Sequence, residues 1–278
     1  MKKSLLVILV SVVSFGSIKA NTQFLQPKVA YKLKLRNEVL LIGSGVLTSA
    51  YGLWQNSRLQ PLSLTELTAL NPGAVNNFDS HVLGNWSTRS HIFSDAGLVS
   101  SFVLASGAAL YYTFNSKRKL GRFITFAIIG VEANLLLLGV TESFKNTVKR
   151  NRPYMYNENV PLEERLSAEG RRSFFSGHMA FTTCNAFLMN AFIQDYSQNQ
   201  YLKIASSITS VALPAFVGFH RINGGKHFYT DVIAGFVVGG IAGVSMPTIH
   251  KKKSLKERLT VAPTFGKNMS SLHLVYSF

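Results

Sequence analysis

Six long runs of apolar residues divide the chain, and polar stretches separate them. The runs lie at about 39–54, 96–114, 123–141, 179–193, 202–219 and 232–249. Runs of this length exceed an ordinary strand and approach the roughly 20 residues of a helix that crosses a bilayer. Gly, Ser, Thr and Asn recur inside them, as expected where membrane helices pack closely. The pattern predicts an all-α, polytopic membrane bundle of five to six membrane helices.

The first 20 residues have the features of a bacterial secretory signal peptide. Lys2 and Lys3 precede an apolar run of about a dozen residues, and the small residue Ala20 follows it. This run is short for a span of about 20 residues, which disfavours the alternative of a short membrane anchor. We therefore expect a signal peptide at residues 1–20.

The tail carries a different pattern, in which apolar and polar residues alternate. Residues 271–278 alternate in this way, and residues 259–265 could be their hairpin partner. An outer-membrane barrel strand has a similar alternation. Because long helical runs dominate the chain, we expect only a short β-hairpin in this basic tail.

Basic residues orient the predicted bundle. They cluster at 117–122 and at 251–253, after the second and the last apolar runs. Loops rich in Lys and Arg remain on the cytoplasmic side of a membrane. Counting helices between these loops places residues 145–178 and 219–231 together on the periplasmic face.

The N-terminal region conflicts with this count. Basic residues at 28–36 precede the first apolar run, and a cleaved signal peptide would leave them in the periplasm. The run at 39–54 has only about 16 residues and contains Gly-Ser-Gly. We therefore expect this run to lie on the membrane or to dip into it without crossing; if it crosses, the first 20 residues are not a cleaved signal.

Composition supports a membrane protein with anionic partners. Only 15% of the residues are charged, against about 25% in soluble chains. The formal net charge of +16 favours phospholipid surfaces or phosphate esters. Nucleic acid is disfavoured, because the basic residues flank apolar runs and no nucleic-acid-binding motif is present. A single cysteine, Cys184, excludes an internal disulfide and a cysteine-based metal cluster.

Three short segments carry residues suited to phosphate chemistry. They are KNTVKRNRP, which begins at Lys145; FSGH, which ends at His178; and RINGGKHFYTD, which runs from Arg221 to Asp231. Cleavage of a phosphate ester requires cations that hold the dianion and neutralise the charge of its transition state. The segments supply Lys145, Arg152 and Arg221, the Ser176 hydroxyl, and Gly177, where backbone N–H groups can approach an anion at a helix N-terminus.

Two histidines suit the two remaining tasks, nucleophilic attack and proton donation. His227 and Asp231 are four residues apart and would share one face of a helix. A carboxylate that fixes the tautomer of His227 would leave the other ring nitrogen free to attack. No acidic residue lies near His178 in the sequence, so we assign it the proton.

Each feature has a simpler explanation when it is taken alone. Lys145 and its basic neighbours could form a membrane-surface cluster, and Ser-Gly-His could be an ordinary helix cap. We expect Arg171 and Arg172 to contact headgroups at the surface, and Glu132 and Asn134 to make interhelical hydrogen bonds. The motifs contain no carboxylate–histidine cluster suited to two divalent ions, so we expect neither a metal nor another cofactor.

Taken together, the three segments resemble the type 2 phosphatidic acid phosphatase family, which shares its fold with the vanadium haloperoxidases. The family pattern is Lys-x6-Arg-Pro, then Pro-Ser-Gly-His, then Ser-Arg-x5-His-x3-Asp. The chain departs from it at Phe175, in place of the proline, and at His220, in place of the serine. Neither departure removes a catalytic group, and the resemblance covers residues 93–250.

The resemblance implies a metal-free, two-step hydrolysis. The equivalent of His227 attacks phosphorus with the aid of Asp231, His178 protonates the leaving alcohol, and water cleaves the phosphohistidine. The phosphate would be bound by Lys145, Arg152, Ser176, Gly177 and Arg221. The expected enzyme is a bacterial inner-membrane phosphatase with its active site in the periplasm, acting on a lipid phosphate or pyrophosphate. A lipid phosphotransferase and a non-catalytic headgroup binder are the alternatives, and a haloperoxidase is disfavoured.

The expected organisation has four parts, and the oligomeric state is left open. They are a signal peptide at 1–20, an N-terminal segment at 21–92 with a short apolar helix and a periplasmic or peripheral loop, a catalytic membrane domain at 93–250, and a basic tail at 251–278.

Overall fold

Six long helices form the body of the protein. The computed structural model describes residues 31–252, together with the backbone of two strands in the tail. The long helices are α1 (Leu35–Asn56), α4 (Thr88–Phe114), α5 (Lys119–Val148), α7 (Gly177–Tyr196), α8 (Gln200–Asn223) and α9 (Tyr229–His250). The predicted helical bundle is therefore confirmed. The expected signal peptide lies outside the described residues.

Short helices and turns occupy the polar stretches. They are α2 (Leu64–Thr68), α3 (Asn77–Ser80) and α6 (Leu162–Leu166), with 3₁₀ turns at Pro72–Ala74, Pro153–Tyr156 and Ala168–Arg171. A small apolar core joins two of these stretches, because Leu62 and Leu67 pack with Tyr154, Met155 and Val160. The two long polar stretches thus form one cap over one end of the bundle.

Four helices are long and apolar enough to cross a membrane, which indicates a multi-pass membrane protein. They are α4, α5, α8 and α9. Their outer faces expose large apolar side chains, including Val99, Val103, Ile208, Ile233 and Ile241. Such faces suit contact with lipid, since a soluble protein rarely exposes wide apolar surfaces.

Helix α7 is the most enclosed of the long helices. It packs against α4, α5, α8 and α9, and most of its residues are buried. Polar side chains such as Thr182 and Asn185 are accommodated inside, where Asn185 exchanges hydrogen bonds with Asn134 of α5. The expected interhelical role of Asn134 is confirmed. A helix surrounded by protein can be less apolar than a lipid-facing helix, which explains why α7 is absent from the four candidate spans.

Helix α1 packs along α5 and runs in the same direction. Gly45 lies against Leu135, and Gly52 lies against Glu142. The helix has 22 residues, so its length of about 33 Å matches the hydrocarbon thickness of a bilayer. Helix α1 is nevertheless not among the four candidate spans, so the expectation that it lies on the membrane or dips into it without crossing stays a prediction. The buried residues of α1 are Glu38 in its first turn and the small residues Gly45, Ser49 and Gly52.

Glycines on α9 allow it to approach α7 closely. A Cβ atom on Gly235, Gly239 or Gly243 would lie 2.6, 2.1 or 2.6 Å from the carbonyl oxygens of Ser176, Ala180 or Cys184. These contacts recur every helical turn, which is the small-residue packing common between membrane helices. This glycine stripe, formed by Gly235, Gly239 and Gly243, holds the start of α7 beside the start of α9, where the candidate site lies.

Two antiparallel strands follow the bundle, β1 (Leu259–Phe265) and β2 (Ser270–Tyr276). Leu259 pairs with Tyr276, and Phe265 pairs with Ser270. The hairpin expected in the tail falls on this segment, whose side chains lie outside the described residues.

Candidate functional site

Five long helices bring the three sequence segments to one end of the bundle. Lys145 lies in the last turn of α5, Arg221 near the end of α8, and Asp231 in the first turn of α9. His178 lies in the first turn of α7, and Asp95 lies two turns after the start of α4. The loop that follows α5 adds Arg152, and the loop before α9 adds His227. All eight predicted site residues are therefore carried to the same end.

The start of α7 is formed as the sequence predicts. Ser176 is its N-cap, and the Ser176 hydroxyl accepts the N–H of Met179 at 3.4 Å. Gly177 keeps space free, since a Cβ atom there would lie 3.4 Å from the Lys145 ammonium nitrogen. The first backbone N–H groups of a helix lack partners within it. The lysine and the helix N-terminus therefore face the same anion-binding position.

His227 is buried, and a backbone carbonyl fixes its tautomer. Its Nδ1 lies 2.8 Å from the carbonyl oxygen of Ser173. Because a carbonyl only accepts, Nδ1 donates the hydrogen and Nε2 keeps its lone pair in the neutral ring. The ring is 1% exposed. Burial, reinforced by the charges of Arg221 and Arg152, holds the pKa of His227 well below its usual value.

Asp231 does not hold His227 in the manner expected from the sequence. Helix α9 begins at Tyr229, so His227 precedes the helix and the two side chains do not share a helical face. The Asp231 Oδ2 atom is 3.8 Å from His227 Nδ1. It accepts hydrogen bonds from the Ser173 hydroxyl at 2.5 Å and from the Phe228 N–H at 2.9 Å. Ser173 therefore connects the two, through its carbonyl to His227 and through its hydroxyl to Asp231.

Arg150 supports Asp231 from the other side. It donates to Asp231 Oδ1 at 2.5 Å and to Asp79 Oδ2 at 2.7 Å. Thr230 also bonds to Asp79, through its N–H at 3.1 Å and its hydroxyl at 2.6 Å. This network ties the cap to the start of α9. Arg150 is one of the basic neighbours of Lys145, for which a surface cluster was the simpler explanation. Asp79 and Ser173 were not predicted from the sequence, because no spacing rule links residues so distant in the chain.

His178 has an acidic partner, contrary to the sequence analysis. Its Nε2 lies 2.7 Å from the Oδ1 of Asp95 on α4, a residue 83 positions away. The pKa of His178 is lowered to about 4 by burial and by Arg221, while Asp95 acts in the opposite direction. The Asp95 carboxylate thus favours the imidazolium, whereas burial and Arg221 favour the neutral ring. The reason given for assigning the proton to His178, the absence of a nearby acid, is therefore wrong, and the assignment itself stays a prediction.

Two buried arginines retain free donors beside the histidines. Arg152 reaches Glu169 at 3.2 Å and the Arg172 carbonyl at 3.5 Å, and Arg221 reaches the Ser94 hydroxyl at 3.4 Å. The Nε atoms of Arg152 and Arg221 have no hydrogen-bond partner in the described part of the chain. Buried donors without partners are costly, and phosphate oxygens would satisfy them.

Arg172 is not the surface contact that the sequence led us to expect. It is 4% exposed and forms ion pairs with Glu142 and Glu169. Arg171 lies at the surface and pairs with Glu66 at 2.6 Å. Burial of Arg172 follows from its place between α5 and the cap, where two carboxylates compensate its charge.

The two departures from the family pattern have structural roles. Phe175 is buried, and its ring packs against the rings of Phe144 and Phe174. The His220 ring packs against Phe93 and Phe216, and its Nδ1 lies 3.3 Å from the Ser90 hydroxyl. Both residues therefore fill space around the candidate site.

Comparisons with known proteins match one part of the chain. Residues 126–255 match the family model of the PAP2 superfamily. Phospholipid phosphatase 1 of Rattus norvegicus is 28% identical over 94 residues, which cover 32% of this chain and 33% of that protein. The chain thus spans about a third of this curated relative. No solved structure gives a significant match. The segment that is similar to the PAP2 superfamily contains all eight residues that the sequence predicts for the site.

Proposed function

We propose that the protein is a membrane phosphatase that hydrolyses lipid phosphate or pyrophosphate monoesters through a phosphohistidine intermediate. One observation carries this proposal: a buried, neutral His227 with Nε2 unblocked lies among Lys145, Arg152 and Arg221, whose charges all act on it. Binding alone would require the cations but not a nucleophile with a fixed tautomer. The similarity to a phospholipid phosphatase supports a lipid substrate.

In the first step, His227 Nε2 attacks phosphorus and the bond from phosphorus to the leaving oxygen breaks. His178 gives its proton to that oxygen, and the lipid alcohol departs. The forked donors of Arg152 and Arg221, with Lys145 and the start of α7, neutralise the charge on the equatorial oxygens. Asp231 acts through Ser173, and so it is a positioning residue.

In the second step, water attacks the phosphohistidine. The neutral His178 accepts a proton from the water, the bond from phosphorus to Nε2 breaks, and inorganic phosphate is released. Both histidines are then restored. No step requires a metal ion, since cationic side chains supply the charge compensation that divalent ions supply in other phosphatases.

The proposed site faces the periplasm of a bacterial inner membrane. The basic residues at 117–122 and the C-terminal end of α9 lie at the end of the bundle opposite to the site, and basic loops favour the cytoplasmic side. Substrates in the outer leaflet, such as phosphatidic acid, phosphatidylglycerophosphate, undecaprenyl pyrophosphate and the phosphates of lipid A, would reach the site from the membrane surface.

A phosphate-release assay on these four lipids tests the proposal. The full chain in proteoliposomes should release phosphate from at least one of them, and a His227→Ala variant should not. Vanadate should inhibit, because it mimics the transferring phosphoryl group. Chelators should leave the rate unchanged, measured at a temperature at which circular dichroism shows that the protein stays folded.

Three outcomes would contradict this function. Loss of activity in a chelator, restored by magnesium, would exclude the metal-free mechanism. Transfer of the phosphoryl group to an added alcohol without release to water would indicate a phosphotransferase. Lipid binding without either product would indicate a headgroup binder.

A further inference from the structure

A second cluster of titratable residues lies at the opposite end of the bundle. Glu38 belongs to the first turn of α1, Glu132 to the middle of α5, and His250 ends α9. All three are buried, and one ligand atom from each lies within 4.8 Å of the others. His250 is 19 residues from Asp231 along α9, which corresponds to about 28 Å. The cluster is therefore separate from the phosphate site.

His250 and Glu38 are each oriented by a backbone group. His250 Nδ1 donates to the Met246 carbonyl at 2.8 Å, which leaves Nε2 with a lone pair in the neutral ring. The Lys34 N–H donates to Glu38 Oε1, and Glu38 Oε2 lies 3.3 Å from His250 Nε2. A histidine that binds a metal commonly donates its second N–H to a carbonyl in this way.

Glu132 is the residue that requires a ligand. Its side chain is 0% exposed, and neither carboxylate oxygen has a hydrogen-bond partner in the described part of the chain. Its Oε2 lies 3.2 Å from His250 Nε2. A buried carboxylate without donors is strongly unfavourable. If both carboxylates are ionised, their charge exceeds that of one imidazolium, and Lys251 does not neutralise the excess because it bonds to Asp195.

The distances match the spacing of ligands around a tetrahedral ion. Zinc binds imidazole nitrogen and carboxylate oxygen at about 2.0–2.2 Å, so adjacent ligands of a tetrahedron are about 3.3–3.6 Å apart. The two distances from His250 Nε2 are 3.3 and 3.2 Å. A hydrogen bond from a charged imidazole to a carboxylate would be shorter, at about 2.7–2.9 Å.

We propose that Glu38, Glu132 and His250 bind one divalent transition-metal ion, with Zn²⁺ as the best fit to two carboxylates and one imidazole. The second oxygen of Glu132 or a solvent molecule would complete the coordination. The ion would join α1 to α5 and α9. It would stabilise the bundle and take no part in phosphate chemistry.

Metal analysis of the full chain tests this site. The protein is purified in detergent without a polyhistidine tag, and zinc is measured by mass spectrometry on the folded fraction from gel filtration. We expect about one Zn²⁺ per wild-type chain, with a large loss in Glu132→Gln and in His250→Gln. The matched controls Glu163→Gln and His81→Gln change exposed residues of the same types and should retain the metal.

Cobalt substitution keeps the test decisive if the cluster variants fail to fold. Co²⁺ added to chelator-treated wild-type protein should give the visible absorption of a tetrahedral complex and raise the melting temperature. The proposal would be overturned if wild-type protein contained zinc only at the background level and gave no Co²⁺ spectrum. The three side chains would then be held together by hydrogen bonds through shared protons. Full metal content in a folded Glu132→Gln variant would overturn the proposal equally. Neither result depends on whether the protein is a phosphatase.

Discussion

At the scale of single residues, the two histidines differ in what holds them. His227 is buried and bonds to a backbone carbonyl, which cannot take a proton, whereas His178 bonds to the exposed carboxylate of Asp95. The surroundings of His227 favour a neutral ring, whereas the carboxylate beside His178 favours the charged ring. Two histidines with separate protonation behaviour are what an enzyme needs for a nucleophile and an acid.

Replacement of Asp95 by Asn should shift the pH dependence of activity toward lower pH. Burial and Arg221 lower the pKa of His178 to about 4, and Asp95 opposes them. Without the carboxylate, the pKa falls further, so the protonated acid is lost at a lower pH. The alkaline limb of kcat/KM on an alkyl phosphate should therefore move to lower pH. A limb that stays in place or moves to higher pH would contradict the role of Asp95.

At the scale of helices, the sequence predicted the existence and order of the long elements, but not their ends. Each helix extends beyond its apolar run; for example, the run at 123–141 lies within α5 at Lys119–Val148. The runs stop where polar site residues begin, and these residues still lie in helical turns. Lys145 and Arg221 therefore appeared to be in loops, although helices position both.

The functional partners were harder to predict than the helices. The sequence itself shows the short spacings that identify Lys145, Arg152 and the Ser-Gly-His segment. Asp95, Asp79 and Ser173 reach the site only through the packing of α4, the cap and α9. Each of these residues lies far along the chain from its partner and meets it only in the folded protein. No periodicity in the sequence therefore reveals the pairs. Small residues in α1 and α9 were recognised as packing residues, but their partner helices were not.

Close packing of α9 on α7 gives a prediction at this scale. Gly239→Ala would place a Cβ atom 2.1 Å from the Ala180 carbonyl oxygen, so the helices must separate. We expect a loss of about 1–3 kcal/mol in unfolding free energy and reduced activity, because the same contact positions the start of α7.

The matched control is Gly130→Ala on α5, where a Cβ atom would meet nothing within 4 Å. This change should be neutral or stabilise the protein by about 0.5–1 kcal/mol through helix propensity. Thermal unfolding in detergent compares the two variants. Equal melting temperatures would show that the glycine stripe does not determine the packing.

At the scale of the whole molecule, the bundle has two chemically different ends. One end carries the candidate site under its cap, and the other carries the basic loops and the Glu38, Glu132 and His250 cluster. Lys32 and Lys34 precede α1, and the Lys32 N–H donates to the His250 carbonyl at 2.8 Å, so these basic residues lie at the second end. Three basic segments of the described chain, at 32–36, 117–122 and 251–252, therefore share one end of the bundle.

Cysteine labelling tests the orientation of the bundle. In a Cys184→Ala background, Glu163→Cys in the cap should react with an impermeant thiol reagent from the periplasm. Lys119→Cys at the other end of the bundle should react only after the membrane is opened. Both positions are exposed, so reactivity reports the side of the membrane. The reverse pattern would place the site in the cytoplasm and exclude outer-leaflet substrates.

The most direct test of the central claim compares two leaving groups in the two histidine variants. Protonation matters most for a basic alkoxide and least for a nitrophenolate. His178→Ala should therefore lose far more activity on an alkyl or lipid phosphate than on nitrophenyl phosphate, by a factor of up to about 10²–10⁴. His227→Ala should abolish turnover of both substrates. Activity of His227→Ala on the nitrophenyl ester, with loss of both activities in His178→Ala, would reverse the two roles and contradict the account.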